Sequence, residues 1–414
     1  MRRRIRLATV LVALTHACAP PAQQAPAPQP ARYLFAWAYD VDARTEDTDF
    51  LVVIDADSTS PTYATVVATV PSGRVGGMPH HTEQMMPPNG WPLFANSYHA
   101  GRSFLLELND PLAPRVAGEA EKVPGYHMPH SYYRLSDGRV LATLQFGDTT
   151  SPGQPGGIAL FSSDGKLLRS ASSRDSAFAD AHIRTYSGDV SEIADRAITT
   201  SSPMDTERTA DVVQLWRLTD LTLLRTLALP EAPTDTMWHY PFEVRFIRDG
   251  TEAFMNTYYC AFYHVSGIDG DAPRIERVLA LDFPNSTGCG VPLLIGHWWI
   301  MPVESAHEIL VLDISDPQQP RQVQALATDS TFFPHWSSRD AGSDRVVFPT
   351  EAHADARILI ARFDSTSGRL TWDASFRDPV SGRLGVSLRR DAWPHGNTGP
   401  AAPHGVVFGS GRQN

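Results

Sequence analysis

Cysteine is scarce in this chain, with three residues among 414. That number excludes a small scaffold held together by several disulfide bonds. Two of the three, Cys260 and Cys289, lie in the body of the sequence. Spacing alone leaves two alternatives open for them, a disulfide bond or two separate buried thiols. A bond would close a loop of about 30 residues and join the end of one structural unit to the start of the next.

Long apolar runs are also missing. The N-terminal run "LATVLVALTHA" follows the basic segment "MRRRIR". It is too short for a membrane-spanning helix, and the two segments together are typical of a secretory signal. We therefore predict a signal peptide over residues 1–18, a Pro/Gln-rich linker over residues 19–31 and one folded domain over residues 32–414.

The cleavage site of this signal has two alternatives. "LTHAC" would place Cys18 at a lipoprotein cleavage site, with the small residue Ala17 before it, but the Thr and His of that box fit poorly. The other alternative is a simple cut after Ala17 or Ala19. Both predict an exported protein, either soluble in the periplasm or tethered to a membrane through a lipidated Cys18.

Basic clusters are absent from the rest of the sequence. The net charge is −11, and loss of the four arginines of the signal takes it to −15. An acidic surface without basic clusters argues against nucleic acid as a partner.

Amphipathic helical patterns are equally rare. Residues 177–197 are the nearest candidate, for one short helix within a long loop. From Tyr33 onward the sequence consists of short apolar strands separated by turns. That pattern predicts an all-β fold.

The strands repeat in pairs. "SFLLELNDPLAPRVAGEAE" from Ser103 and "EILVLDISDPQQPRQVQAL" from Glu308 share a strand, an Asp-Pro turn and a second strand, and looser copies recur along the chain. Other hairpins lie between them, so each unit has four strands. Such units predict a β-propeller. We expect seven blades, one of them closed by pairing of the N-terminal strands with the C-terminal "PHGVVFG"; two β-sandwiches are the alternative.

Pro-His pairs are over-represented. They occur five times, whereas random placement of 33 prolines and 15 histidines over 414 positions predicts about one. Most precede the first strand of a blade, and the innermost strands of a propeller meet around a central channel. Imidazoles brought together in this way are typical ligands of copper, iron or zinc. The predicted metal ligands are His80, His81, His130, His335 and His404.

Other residues have weaker signals. His395 is excluded because it lies in a Gly/Pro-rich loop. His127 lies three residues before His130, so in a strand it would face the opposite side, and we predict a supporting or substrate-contacting role for it. "WHYPFEVRF" offers His239 and Glu243 in the corresponding position of another blade. A carboxylate in an apolar strand needs a partner, which leaves Glu243 either a proton-transfer role or an ion pair with an arginine.

Several of these segments resemble the selenium-binding protein, or methanethiol oxidase, family. "MPHHTEQM" resembles its paired-histidine segment, "YHMPHSYYRLSDGRVLATL" its His-x-x-His segment, "FEVRFIRDG" its glutamate-containing strand and "LVLDISDPQQPRQV" its blade turn. The resemblance implies a seven-bladed propeller and a copper-dependent oxidation of methanethiol to formaldehyde, hydrogen sulfide and hydrogen peroxide. The motifs carry the paired histidines onto His80 and His81, the spaced pair onto His127 and His130, and the strand glutamate onto Glu243.

The chain departs from the family in one respect that matters. "EQMMPPNGW" stands where the family has cysteines after the paired histidines, so selenium binding is not expected. The sequence predicts an exported oxidase that uses copper and molecular oxygen on a small thiol, with Glu243 and His127 as catalytic residues. The alternative is a non-catalytic periplasmic propeller that binds a ligand or a protein partner, since propellers host both kinds of function.

Overall fold

The computed structural model describes residues 28–41, 47–147, 154–178, 182–204, 209–230, 239–281, 288–350 and 353–411. The predicted signal peptide, with Cys18, and most of the predicted linker lie outside these residues. Within them the chain forms strands and short 3-10 helices but no α-helix. No helix in the described ranges has the length and apolarity needed to cross a membrane.

Seven antiparallel sheets make up the fold. Blade one contains β1 (Tyr33–Asp40), β2 (Phe50–Asp55), β3 (Val66–Pro71) and the last strand, β29 (Ala401–Gly409). Blade two contains β4 (Pro79–Thr82), β5 (Leu93–Ser97), β6 (Arg102–Glu107) and β7 (Arg115–Glu119). Blade three contains β8 (Tyr126–Arg134), β9 (Val140–Gly147), β10 (Gly157–Phe161) and β11 (Leu167–Ser172). Blade four contains β12 (Thr185–Ser191), β13 (Arg196–Ser201), β14 (Val212–Arg217) and β15 (Thr222–Ala228).

The remaining blades follow the same order. Blade five contains β16 (Pro241–Ile247), β17 (Glu252–Thr257), β18 (Ala261–Ser266) and β19 (Arg274–Ala280). Blade six contains β20 (Leu293–Ile295), β21 (Trp298–Val303), β22 (Glu308–Asp313) and β23 (Arg321–Ala327). Blade seven contains β24 (Ser338–Arg339), β25 (Arg345–Pro349), β26 (Arg357–Asp364), β27 (Arg369–Trp372) and β28 (Val386–Ser387). The 3-10 helices span Pro88–Gly90, Ser176–Phe178, Arg248–Gly250 and His353–Asp355.

Blade one closes the ring. Its innermost strand is β29, which pairs with β1 so that Tyr33 lies opposite Gly409 and Ala36 opposite Val406. The first and last strands therefore share a sheet, which leaves no open edge between the chain ends. The predicted seven-bladed, all-β propeller closed by its terminal strands is confirmed.

The apolar core lies between the blades. Successive side chains of a strand point to opposite faces, so β1 contributes to two clusters. Leu34 and Ala36 pack against blade seven, whereas Phe35 and Trp37 pack against blade two. Each of the seven large clusters formed by described residues joins two adjacent blades in this way. This packing fixes the innermost strands around the channel.

The helix expected within residues 177–197 is wrong. The described part of this segment holds the end of the short 3-10 helix at Ser176–Phe178, then β12 and the start of β13. The β-formers Thr185 and Tyr186 begin β12 and are buried. Tertiary packing overrides the local helix propensity here, because this stretch supplies the innermost strand of blade four.

Cys260 and Cys289 form a disulfide bond, with Cα atoms 5.3 Å apart. Cys260 lies in the turn between β17 and β18, and Cys289 lies just before β20. The bond therefore joins blade five to the entry of blade six, which resolves the alternatives that spacing left open.

Candidate metal centre

Four predicted ligands lie on innermost strands. His80 and His81 are on β4, His130 is on β8 and His404 is on β29. His335 follows a backbone bridge between Pro334 and Thr350, just before β24. All five side chains are buried. Sites far apart in sequence thus meet because each belongs to the inner edge of a different blade, with one blade contributing a pair.

The five imidazoles form one cluster. The His80 ring centroid lies 3.7 Å from that of His404 and 4.5 Å from that of His81. The His130 centroid lies 4.1 Å from that of His81, and the His335 centroid 4.6 Å from that of His404. One nitrogen from each of His80, His81 and His404 can be chosen so that all three lie within 4.8 Å of one another. These three histidines are therefore close enough together to be candidate ligands of a single metal ion.

The backbone before these histidines has an unusual conformation. Met78 and Met128 precede the Pro-His pairs of blades two and three, and their φ angles are 53° and 57°. Residues other than glycine seldom adopt positive φ, and such strain is concentrated at functional sites. The regular pairing of β4 with β5 is also interrupted between Pro79 and Thr82. Because this bulge breaks the alternation of side chains, two consecutive histidines can face the same cluster.

A buried amide links the two histidine-bearing strands. Asn96, on β5, has no exposed surface. Its side-chain oxygen accepts hydrogen bonds from the backbone N–H groups of His80 and His81, at 3.0 and 2.7 Å. Its NH2 group donates to the backbone oxygens of Pro129 and His130, at 2.9 and 3.1 Å. Asn96 therefore sets the position of β4 relative to β8.

Hydrogen bonds also orient three of the rings through Nδ1. His81 contacts Ser131 Oγ at 3.0 Å, and His130 contacts both Ser131 Oγ at 2.9 Å and the backbone oxygen of Tyr186 at 3.0 Å. His335 Nδ1 pairs with the carboxylate of Glu304. Histidines that hold metals are commonly fixed in this way through the nitrogen that does not bind the ion.

Several ring nitrogens face inward with no partner among the described residues. They are both nitrogens of His80, both of His404, and Nε2 of His81 and of His130. Buried polar atoms are nearly always hydrogen-bonded, so such a concentration needs an explanation. A transition metal would satisfy these nitrogens together, and the all-imidazole donor set fits copper, iron or zinc.

Burial keeps these imidazoles neutral. It lowers the pKa of His130 to about 3, with a smaller contribution from the neighbouring His335. Burial, and then the imidazoles of His404 and His81, holds the pKa of His80 well below its usual value. A neutral imidazole keeps its lone pair available, which is the form that binds metal.

Glu243 lies on β16 in a buried polar network. Its Oε2 accepts hydrogen bonds from Ser187 Oγ at 2.6 Å and from Arg245 Nη1 at 2.8 Å, while Oε1 has no partner among the described residues. Ser187 also contacts the hydroxyl of Tyr133 at 2.9 Å. The charge of Arg245 contributes to the lowered pKa of His81, after burial and three neighbouring histidines. One of the two alternatives for Glu243, an ion pair with an arginine, is thus present.

The other histidines singled out in the sequence lie elsewhere. His127 lines a separate cavity with residues of β6 and the turn before β8, and its ring contacts Phe146 rather than the cluster. His239 forms an ion pair with Asp211, with 2.7 Å between Nδ1 and Oδ2. His395 contacts Thr69 on β3, at 2.7 Å. The catalytic role predicted for His127 stays a prediction.

A cavity of about 500 Å³ opens onto the cluster through His80 and His335. Its wall is largely aromatic, and none of the described residues that line it is Asp, Glu, Lys or Arg. The aromatic lining residues are Tyr186, Tyr240, Phe242, Tyr258 and Tyr259. Met78, Met204, Ser202 and Pro203 complete the wall.

Sequence patterns did not reveal the residues that support the cluster. Asn96, Ser131, Glu304 and Arg245 lie in or beside ordinary strands, and a polar residue in a strand is usually solvent-facing. The weak signal for Asn96 is that it follows the apolar run Leu93–Ala95, and the weak signal for Ser131 is that it directly follows Pro129-His130.

Comparison with known proteins agrees with the resemblance seen in the motifs. No family model matches the chain. A methanethiol oxidase from Hyphomicrobium sp. is 30% identical over 141 residues, which are 33% of this chain and 31% of that enzyme. The match therefore spans less than a third of the relative's length.

Solved structures match over most of the chain. A hypothetical selenium-binding protein from Sulfolobus tokodaii has a TM-score of 0.71 at 14% identity, covering 94% of this chain and 96% of that one. The periplasmic gluconolactonase of Pseudomonas aeruginosa has a TM-score of 0.61 at 14% identity, covering 92% and 99%. At these identities the likeness shows the propeller fold. Together, the partial sequence match and the first of these structures support a relationship to the selenium-binding protein and methanethiol oxidase family.

Proposed function

We propose that the five-histidine cluster holds a copper ion and that the protein oxidises a thiol with molecular oxygen. This proposal rests on the buried imidazole nitrogens of the cluster that have no hydrogen-bond partner among the described residues. His80, His81 and His404 would hold the metal, with His130 and His335 as further ligands or close supports. Copper would supply the redox chemistry that couples thiol oxidation to oxygen reduction.

The resemblance to the methanethiol oxidase family suggests the reaction. Methanethiol, molecular oxygen and water would be converted to formaldehyde, hydrogen sulfide and hydrogen peroxide. The chain's own residues would bind and orient the reactants. The aromatic cavity would supply apolar contacts to the substrate. The Nδ1 hydrogen bonds of His81, His130 and His335 fix the ligand rings. Glu243 is proposed to accept a proton through Ser187, whose Oγ donates a hydrogen bond to Glu243 Oε2 at 2.6 Å.

The rival function is a non-catalytic propeller that binds a ligand or protein partner. A ligand-binding propeller needs no cluster of neutral histidines. The ring nitrogens of His80, His81, His130 and His404 that have no partner among the described residues would cost stability if no ion satisfied them. That difference favours the metal centre. Selenium is not proposed, because residues 83–91, which follow the paired histidines, contain no cysteine.

We also propose that the protein is exported and acts in the periplasm or on a membrane through a lipidated Cys18. The disulfide between Cys260 and Cys289 supports an oxidising compartment. Expression of the full chain with a Cys18→Ala variant, followed by fractionation, tests the tether. A lipoprotein would move from the membrane to the soluble periplasmic fraction on this substitution.

The activity is tested with the copper-loaded protein and methanethiol, with consumption of oxygen and formation of hydrogen peroxide followed together. The proposal expects one hydrogen peroxide for each molecule of oxygen consumed. Glu304→Gln weakens the contact between residue 304 and His335 Nδ1 without removing a ligand. It should lower copper affinity by about 10- to 100-fold. Copper-loaded protein that consumes no oxygen with any thiol would leave the binding function as the better account.

A further inference from the structure

The cavity beside the cluster is much larger than methanethiol requires. Methanethiol has two non-hydrogen atoms, whereas the cavity measures about 500 Å³. Cavities of roughly 300–1,000 Å³ hold ligands of the size of drugs and cofactors. A two-atom substrate would leave most of this wall without contact.

The lining gives the cavity a definite chemical preference. Five aromatic rings and two methionines face it, with no charged side chain among the described residues that line it. The ring of Phe242 lies 4.5 Å from that of Tyr186 and 5.3 Å from that of Tyr258. Such surfaces favour aromatic and sulfur-containing groups. The described residues of the wall offer no cation for a phosphate or carboxylate.

The cavity and the cluster share two residues. His80 and His335 line the cavity and also belong to the five-histidine cluster. A molecule whose reactive sulfur reaches the cluster can therefore place an attached ring against Phe242 and Tyr258. The position of the ring would be fixed by the inner strand of blade five and the turn that follows β17.

We infer that the substrate is an uncharged primary thiol carrying an aromatic or similarly bulky apolar group, rather than methanethiol itself. This inference rests on the proposed oxidase function. One thiol R–CH2–SH, one O2 and one water would give one aldehyde R–CHO, one hydrogen sulfide and one hydrogen peroxide. The C–S bond and one C–H bond break, water supplies the aldehyde oxygen, and O2 takes up the two electrons and two protons.

The activity test compares phenylmethanethiol, methanethiol and the charged thiol mercaptoacetate on copper-loaded protein. We expect kcat/KM for phenylmethanethiol to exceed that for methanethiol by at least about tenfold, because even one methylene group in an apolar pocket is worth this much. Mercaptoacetate should be the poorest substrate. Faster turnover of methanethiol than of phenylmethanethiol would overturn the inference and leave the oxidase function intact.

Binding to metal-free protein gives a readout independent of copper. Benzyl alcohol, the oxygen analogue of phenylmethanethiol, should show saturable binding by ligand-observed NMR. Met204→Trp fills the half-buried edge of the cavity and should weaken this binding by about tenfold. Tyr63→Ala, a half-buried tyrosine on blade one that contacts Phe376, is the matched control and should leave it unchanged.

The turnover and binding measurements test the oxidase function and the ligand preference of the cavity separately. Absence of turnover for all three thiols contradicts the oxidase, while the NMR result still decides what the cavity holds. Benzyl alcohol that fails to saturate, or that binds Met204→Trp as well as wild type, overturns the assignment of the cavity.

Discussion

The imidazoles of His80 and His404 lie with ring centroids 3.7 Å apart, although they come from the first and last parts of the folded domain. The contact exists because β29 pairs with β1 and becomes the innermost strand of blade one. The complete histidine cluster therefore requires closure of the propeller. A chain that failed to close would lose His404 together with the innermost strand of blade one.

Asn96 offers a test of how the cluster is held. Asn96→Ala removes four hydrogen bonds to the backbone of β4 and β8. We expect copper affinity to fall by about 10- to 100-fold, as for other supports of metal ligands, and the free energy of unfolding to fall by about 2–4 kcal/mol. Competition titration with a copper chelator and chemical denaturation measure the two effects.

Asn256 is a matched control. It is equally buried, on β17 of blade five. Its NH2 group donates hydrogen bonds to the backbone oxygens of Thr257 and Cys289. Asn256→Ala should lower stability, by less than Asn96→Ala because two hydrogen bonds are lost instead of four, and should leave copper affinity unchanged. An equal loss of copper affinity in both variants would show that the effect of Asn96 is general destabilisation.

Metal-free protein should lose stability in mild acid. His130 has a pKa of about 3 in the folded state, because burial disfavours its charged form, and about 6.5 when unfolded. The unfolded state therefore binds more protons between these values, and stability falls as pH drops through this window. From pH 7 to pH 5 the loss due to His130 is about 2 kcal/mol.

Chemical denaturation of wild type and His130→Asn at the two pH values isolates this contribution. The variant should lose about 2 kcal/mol less than wild type between pH 7 and pH 5. The same loss in both proteins would mean that His130 is not a buried neutral base.

The disulfide should stabilise the junction of blades five and six. It closes a loop with a sequence separation of 29, which corresponds to about 3–4 kcal/mol. The double variant Cys260→Ala with Cys289→Ala should lose that amount in the free energy of unfolding. Peptide mapping without reductant checks the bond directly, and two free thiols in protein purified from the periplasm would contradict it.

Glu243 can be separated from its ion pair. Glu243→Gln should lower the free energy of unfolding by about 3 kcal/mol, because Arg245 loses its buried counter-charge. Replacing both, with Glu243→Gln and Arg245→Met, should restore most of the stability. If Glu243 takes a proton during turnover, the double variant stays slow with phenylmethanethiol and methanethiol alike. Full recovery of kcat would restrict Glu243 to the ion pair.

The architecture could be predicted because a propeller repeats its local signals. Each blade carries the same outer hairpin, as at Ser103 and Glu308, and the terminal strands supply the missing members of one sheet. The one helix expected within residues 177–197 was wrong because a few polar and helix-compatible residues hid the β-formers of β12. Local propensity could not indicate that this strand borders the channel.

The convergence of the histidines could be predicted from the sequence, because Pro-His pairs marked the start of inner strands. The residues that support these histidines could not be predicted, because Asn96 and Glu304 act across blades through contacts that no local pattern records. Strand alternation alone would also have placed His80 and His81 on opposite faces. The bulge at Pro79 and the left-handed Met78 change that, and both are properties of the folded backbone.

Copper content per chain is the most direct test of the central claim. Protein purified from the periplasm is loaded with copper and freed of loosely bound metal. Its copper content is then measured by elemental mass spectrometry. The matched variants are His80→Ala with His404→Ala, which removes two ligands, and His395→Ala, which removes a Pro-His histidine that contacts Thr69 instead. The account predicts about one copper per chain for wild type and His395→Ala and a loss of most of it in the double variant. Less than about a tenth of a copper per chain in wild type, or an unchanged content in the double variant, would contradict it.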